Sequence, residues 1–362
     1  MKILISGGGT AGHINPALAA AEHLKKNYGA KLLFIGTESG LESSLVPKAG
    51  FDIKYIEVAG LIRKITVKNA AVFYKYIKSI ARCKRIISEF APDAVIGTGG
   101  YVCAPVIRAA ASLGVPTLVH EQNVIPGVTV KLCAKSCNIL AISFSETLDY
   151  LKSSVRKKCV LTGNPLREGL LAAECGADKD GRPLVVIFGG SLGARAITEA
   201  ACELVLNKDL SGIRLIFGTG KRYYDEVCEK TAGACLGDNI KIVPYIDNME
   251  QVMPEAQLVV SRAGALTVSE LCALGIPSVL IPSPYVAHNH QEFNARALEA
   301  AGAAALLKEG ELSGESLYKE IFTILRNPGR RRKMSESAKR VGITDGTKRI
   351  CELAARLAGE AR

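Results

Sequence analysis

Short apolar runs closed by glycine or polar residues alternate with amphipathic stretches from the start of the chain onward. Residues 2–6, 31–36, 94–97, 117–120 and 138–142 read as short buried strands. Between several of them lie helical stretches, such as residues 16–27 and 102–113. A chain that alternates strand and helix builds βαβ units, and such units pair their strands in parallel.

The pattern then restarts. Residues 183–188 form a second buried run, followed by the turn Gly189-Gly190-Ser191-Leu192-Gly193-Ala194. A helix over 196–206 comes next, then strands over 214–218, 240–244, 258–261 and 278–281. The first strand and glycine-rich turn of each half echo one another, so two α/β lobes are predicted. The boundaries fall at residues 1–162 and 163–340, joined near 163–182, with a terminal helix over 341–362. The tail from about 335 onward reads as one or two helices.

Composition narrows the picture. The 362 residues suit two domains of ordinary size. The apolar content of 48%, with 35 glycines and 14 prolines, fits a globular α/β protein rich in tight turns. The opening run, Met1 to Ser6, is too short for a signal-peptide core and reads as a strand. No run of about 18 apolar residues predicts a membrane-spanning helix. The 11 scattered cysteines fit reduced thiols of a cytosolic protein better than a disulfide framework. Cys133 and Cys137 are spaced C-x3-C, but no second pair completes four zinc ligands. A net charge of +11 favours an anionic partner: nucleic acid, an anionic membrane or a phosphate-bearing substrate.

The chemistry gathers at strand–turn–helix junctions. Gly7-Gly8-Gly9-Thr10-Ala11-Gly12-His13 follows the first strand and opens a helix, a place where glycines let the backbone approach a phosphate. Gly7, Gly9 and Gly12 satisfy the dinucleotide fingerprint, with Glu38 as the acidic residue after the second strand. His13, on this turn, is predicted to face a ligand. The second turn, residues 189–194, can hold phosphates too, with Ser191 adding a hydroxyl. It also matches the nucleophile elbow of an α/β-hydrolase, with Asp247 and His288 following in order. A third junction, Ser261 to Glu270, puts Glu270 one turn into a helix, where a carboxylate can take a ribose diol. Thr267 and Glu270 also have capping-box spacing. His120-Glu121-Gln122-Asn123 ends another strand, and four polar residues there need ligand, water or protein partners. His288, His290, Gln291 and Asn294 form a further polar cluster ahead of a helix, suited to sugar hydroxyls.

Residues 58–88 contain no Asp or Glu. On a helix Lys64, Lys68, Lys75, Lys78, Arg82 and Arg85 share one face, with Phe73, Tyr76, Ile77, Ile80 and Ile87 opposite. This is either a solvated surface helix or a dock for an anionic leaflet, with Leu61, Ile62 and Ile65 at its margin. It has no nucleic-acid motif. Asp178-Lys179-Asp180 is the one Asp-x-Asp match and sits in a charged linker. No metal or cofactor is therefore expected, and helix N-termini, Ser191 and Arg167 would meet a leaving diphosphate.

Taken together, these motifs resemble the MurG family, the N-acetylglucosaminyltransferases that complete lipid II on the inner face of the bacterial membrane. The resemblance runs in order over nearly the whole chain. It rests on residues 8–16, Gly99-Gly100-Tyr101-Val102, His120-Glu121-Gln122-Asn123, Gly163-Asn164-Pro165-Leu166-Arg167, residues 189–194, Arg262-Ala263-Gly264-Ala265-Leu266-Thr267 and residues 290–295. Ala11, Leu192, Ala263 and His290 depart from the commoner family pattern. The resemblance implies a GT-B fold, with two Rossmann-like doubly wound lobes and a cleft between them. It implies UDP-N-acetylglucosamine as donor. Ile246 would meet the uracil, Glu270 the ribose, and Ser191 with Arg167 the diphosphate. Ala265, Leu266, Thr267, Val268 and Ser269 would close on the nucleotide, Asn123 and Gln291 would bind the sugar, and Thr10, Ala11 and Gly12 would also touch the donor. The acceptor, undecaprenyl-pyrophosphoryl-MurNAc-pentapeptide (lipid I), would lie by the first glycine turn with Gly99, Gly100 and Tyr101.

An inverting displacement is implied, with His13 as base at the acceptor hydroxyl and Glu121 as second choice. Peripheral docking on the cytoplasmic side of the cell membrane would use Ile62, Arg63, Lys64, Ile65, Lys68 and Lys75. No nucleic-acid partner is expected. The competing readings are a nicotinamide-dependent oxidoreductase, an α/β-hydrolase and a membrane scaffold that keeps a nucleotide pocket as a switch.

Overall fold

The structure is a computed structural model. It describes residues 1–58, 68–166, 168–172, 181–190 and 192–360, with side chains described except at 68–75, 168 and 172. The chain forms two compact units, residues 1–166 with 345–362, and residues 167–344.

The first unit runs β1 (Lys2–Gly7), α1 (Ala11–Tyr28), β2 (Lys31–Gly36), α2 (Glu42–Lys48), β3 (Ile53–Tyr55), α3 (Lys68–Phe90), β4 (Ala94–Gly99), α4 (Cys103–Ser112), β5 (Thr117–Glu121), α5 (Val128–Cys133), β6 (Ile139–Ile142), α6 (Ser153–Arg156) and β7 (Cys159–Leu161). Its strands pair in parallel in the order β3-β2-β1-β4-β5-β6-β7. Consecutive apolar residues send alternate side chains to opposite faces. Leu4 and Val95 therefore join Ile107, Val119 and Ile87 on one face, while Ile3, Ile5 and Ile96 pack with Ala17 and Leu24 of α1 on the other. Both faces are covered, which is why these strands read as continuous apolar runs.

The second unit runs α7 (Glu168–Ala172), β8 (Leu184–Phe188), α8 (Arg195–Asn207), β9 (Arg214–Gly218), α9 (Tyr224–Thr231), β10 (Ile240–Val243), α10 (Met249–Glu255), β11 (Leu258–Ser261), α11 (Ala265–Leu274), β12 (Ser278–Leu280), α12 (His290–Ala300), β13 (Ala304–Leu306), α13 (Gly314–Leu325) and α14 (Pro328–Val341). Its parallel sheet has the order β10-β9-β8-β11-β12-β13, the same winding as the first. The last helix, α15 (Gly346–Glu360), belongs to the first unit, where Ile350, Cys351, Ala354, Leu357 and Ala358 join the α1 core.

Each predicted strand is present. The short strands β3, β7 and β13 carry too few apolar residues to stand out in the sequence. Tyr76, Ile80 and Ile87 of α3 pack inward as the pattern predicts, while Ile77 does not. Ile80, Ile86, Ile87 and Cys83 lie inward with Ser79, whereas Ile77 is 50% exposed. Small residues pack inward because α3 lies against α4, whose buried side includes Ala109 and Ala110. Lys78, Arg82 and Arg85 are exposed, as the helical pattern predicts.

Candidate active site

In a doubly wound sheet the strand order reverses beside the first strand, and ligands bind outside the carboxyl ends of the strands at that point. In the first unit this is the junction of β1 with β4, which carries the turns Gly8-Gly9-Thr10 and Gly100-Tyr101. The turns touch: Gly8 N–H donates to Gly99 O at 3.3 Å. Gly100 has φ +78°, and a Cβ there would lie 2.1 Å from Gly8 O, so only glycine fits. A Cβ on Gly99 would lie 2.7 Å from the His13 ring, and the Tyr101 ring rests on Gly9.

Behind the first turn lies a residue that the sequence reading missed. Glu42, at the start of α2, is 1% exposed. Its Oε2 accepts from Gly9 N–H at 3.0 Å, and its Oε1 accepts from Thr37 N–H at 3.0 Å and Thr37 Oγ1 at 2.7 Å. Burial opposes the charge, but these hydrogen bonds outweigh it and hold the pKa below the usual carboxylate range. Gly8, Gly36 and Gly40 leave the space that the side chain fills. Glu38, the acidic residue read after β2, is exposed, whereas Glu42 grips the glycine turn from inside. Gly8 and Gly9 spend their amides inside the protein, so the outward part of the turn is Thr10, Ala11 and Gly12, all exposed.

His13 is half-buried in the first turn of α1. Its Nδ1 lies 3.1 Å from both Thr98 O and Gln122 Oε1. Gln122 Nε2 donates to Thr98 O at 2.8 Å and meets His120 Nδ1 at 3.0 Å, while His120 Nε2 lies 3.1 Å from Gly163 O. His120 is fully buried, and burial pushes its pKa down to about 4. The polar run at the end of β5 therefore finds mainly protein partners. Glu121 is 2% exposed, and its carboxylate accepts from Asn123 N–H, Asn123 Nδ2 and Gly127 N–H at 2.9, 3.2 and 2.8 Å. Burial pushes its pKa up against those hydrogen bonds. Such a carboxylate holds a loop. Asn123 is half-buried beside it.

In the second unit the corresponding reversal lies between β8 and β11. The helix α11 begins at Ala265 with Gly264 as its extended N-cap, so Thr267 and Glu270 form no capping box. Leu266, Thr267, Ser269 and Glu270 are half-buried, whereas Val268 and Ala265 point into the core. The buried Asn294 donates through Nδ2 to Ala263 O at 3.1 Å and fixes this turn to α12. Gln291 Oε1 accepts from Ser283 N–H at 2.9 Å, which leaves its amide NH2 to point elsewhere. Ile246 is buried against Gly218, anchoring the loop after β10. Asp247 and His288 are exposed.

Arg167, Ser191, Ile62, Arg63, Lys64 and Ile65 lie outside the described residues, as do the side chains of Lys68 and Lys75. Cys133 and Cys137 are buried in apolar core, and burial pushes the Cys137 thiol up to about 11, far from a ready zinc ligand. Among the described residues no helix is long and apolar enough to cross a membrane.

Two such units in one chain are the GT-B fold of glycosyltransferases. Residues 3–142 match the glycosyltransferase family 28 N-terminal domain and residues 184–350 its C-terminal domain, and the chain belongs to that family. It is similar, at 48% identity over 98% of this chain and 97% of the other, to a UDP-N-acetylglucosamine–N-acetylmuramyl-(pentapeptide) pyrophosphoryl-undecaprenol N-acetylglucosamine transferase of Acetivibrio thermocellus. A protein of the same name from Ruminiclostridium cellulolyticum is 44% identical over 98% of this chain and 99% of that one. The crystal structure of Acinetobacter baumannii MurG superposes with a TM-score of 0.81 at 28% identity, covering 98% of this chain and 99% of that one. The hydrolase and oxidoreductase readings fall with this result.

Proposed function

We infer that the protein moves N-acetylglucosamine from UDP-N-acetylglucosamine onto the muramoyl sugar of lipid I, giving lipid II for peptidoglycan. The observation that carries this is the end-to-end likeness, at 48% identity, to a transferase named for that reaction. The acceptor's C4 hydroxyl attacks the anomeric carbon, UDP leaves, and the configuration inverts. His13 takes the hydroxyl proton. Its place in the first turn of α1, with the ring held by Thr98 and Gln122, supports that role. Glu121, committed to the 123–127 turn, is better suited to support than to proton transfer.

Glu270 takes the ribose hydroxyls, Ile246 presents backbone to the uracil, and Arg167, Ser191 and the first turn of α11 from Ala265 to Thr267 neutralise the leaving diphosphate. Val268 acts through its backbone, since its side chain is in the core. Ser269 closes on the nucleotide with the rest of its segment, Gln291 and Asn123 bind the sugar, Thr10, Ala11 and Gly12 touch the donor, and the acceptor lies by Gly99, Gly100 and Tyr101. The exposed cations of α3, continuing from Ile62, Arg63, Lys64, Ile65, Lys68 and Lys75, dock the protein on an anionic cytoplasmic leaflet.

The test is transfer of radiolabelled sugar to a lipid I analogue, with and without chelator. Product formation that survives chelation is expected. His13→Ala should lower kcat by about 10²–10⁴ with UDP affinity unchanged. Hydrolysis of the donor without lipid I, or kcat equal to that of the parent, would count against the reading.

A further inference from the structure

We propose that Gln122, locked by His120, is a positioning residue that fixes the His13 imidazole with its proton on Nδ1 and its lone pair on Nε2. The inference rests on His13 acting as the base and goes on to say what makes it one. Gln122 Nε2 faces two carbonyl oxygens, Thr98 O at 2.8 Å and His120 O at 3.3 Å. Carbonyls only accept, so the amide is oriented with NH2 toward them and Oε1 toward His13. His13 Nδ1 then faces two acceptors, Gln122 Oε1 and Thr98 O, and must carry the proton. Gln122 Nε2 also donates to His120 Nδ1, so His120 carries its own proton on Nε2, directed at Gly163 O. Burial keeps His120 neutral, so the chain of tautomers holds through the working pH range.

An orienting partner of a base is commonly a carboxylate. Here it is an uncharged amide. A carboxylate would favour the imidazolium and withdraw the base as pH falls, whereas an amide orients the ring without that cost. The other ionisable groups nearby have different work or lie apart. Glu42 faces Gly9 and Thr37, and Glu121 faces Asn123 and Gly127. Tyr101 rests on Gly9, while Cys351 and Glu352 of α15 lie further along α1, by Ala20 and Tyr28.

The experiment is long-range ¹H–¹⁵N correlation on the full chain labelled at its 5 histidines, with His13 assigned by its loss in His13→Ala. A protonated Nδ1 and an unprotonated Nε2 are expected for His13 near pH 7.5, and a protonated Nε2 would overturn the proposal. This reading needs no Gln122 variant to fold. In kinetics, Gln122→Met should lower kcat about tenfold with the donor KM unchanged. Gln122→Glu should move the acid limb of kcat/KM upward by about one pH unit, a change that a merely structural role does not produce. An unmoved limb in a folded Gln122→Glu enzyme overturns the assignment. The tautomer is read whether or not His13 is the base, and failure of that wider reading shows separately, as full turnover in His13→Ala.

Discussion

Glu42 and His120 are buried ionisable side chains of the first unit, and both tie its stability to pH. His120 titrates near 6.5 in an unfolded chain and near 4 when folded. The unfolded state therefore takes up its proton first, so this stability is full above pH 6.5 and is lost as pH falls through 4. The shift corresponds to about 3 kcal/mol. A thermal melt series from pH 7 to 4 should show the parent losing several degrees that a folded His120→Asn variant does not lose over that range. Glu42 acts lower on the scale. Its folded pKa is depressed, so its contribution is present above the unfolded value and disappears as pH falls below it. Glu42→Gln sets an NH2 group against the N–H of Gly9 or Thr37 and should cost about 1–3 kcal/mol at pH 7, read by denaturant titration. A neutral result would mean that the turn does not depend on that carboxylate. At this scale the sequence displayed the glycines and His13, because turn geometry and helix starts leave local marks. Glu42 and Gln122 gave no such mark, since their partners lie across the fold at Gly9 and Thr98. The polar run 120–122 was conspicuous, but whether its partners were ligand or protein depended on Gly163, Ser143 and Thr98, which only the sheet brings together.

At the scale of elements, hydrophobic periodicity finds α3 and the inward Tyr76, Ile80 and Ile87, but misplaces Ile77. Periodicity counts Ile77 as core because it is apolar, while the packed helix turns it outward and takes Ser79 and Cys83 in. The energetic consequence is direct. Ile87→Ala removes a side chain that is 1% exposed and should cost about 2–5 kcal/mol, whereas Ile77→Ala should stay within about 0.5 kcal/mol. Equal losses in urea unfolding would return Ile77 to the buried face. The outward cations are the half of this element that the proposed membrane docking would use. Reversing Lys78, Arg82 and Arg85 to Glu should abolish sedimentation with vesicles of anionic phospholipid while leaving UDP affinity and melting unchanged. Unaltered sedimentation would leave α3 as a solvated surface helix. The helix α11 is the reverse case. Its turn was legible as Arg262-Ala263-Gly264, yet its start was not, because Gly264 caps it in place of the Thr267 that spacing favoured.

On the scale of the whole molecule, the repeat of strand and glycine turn announced two units of like winding, and local pattern could say no more than that. The return of α15 to the first unit is a tertiary event. The helix reads as amphipathic wherever it docks, and only the core made by Ala17, Ala20 and Leu24 of α1 selects its place. Ile350, Cys351, Ala354, Leu357 and Ala358 are all 5% exposed or less. Their burial contributes roughly 5 kcal/mol, comparable with the entire stability of a modest domain. A chain ending at Thr344 should thus weaken the first unit while sparing the second, whose core draws on none of those residues. Calorimetry would resolve this as one transition lowered by ten degrees or more on the scale of about 2–4 °C per kcal/mol, with the other unmoved. Added UDP marks which is which, since a ligand that binds one native unit raises that unit's transition. If UDP raised the transition that truncation had lowered, the donor would belong to the first unit, and the assignment of Glu270 and Ile246 to the nucleotide would fall.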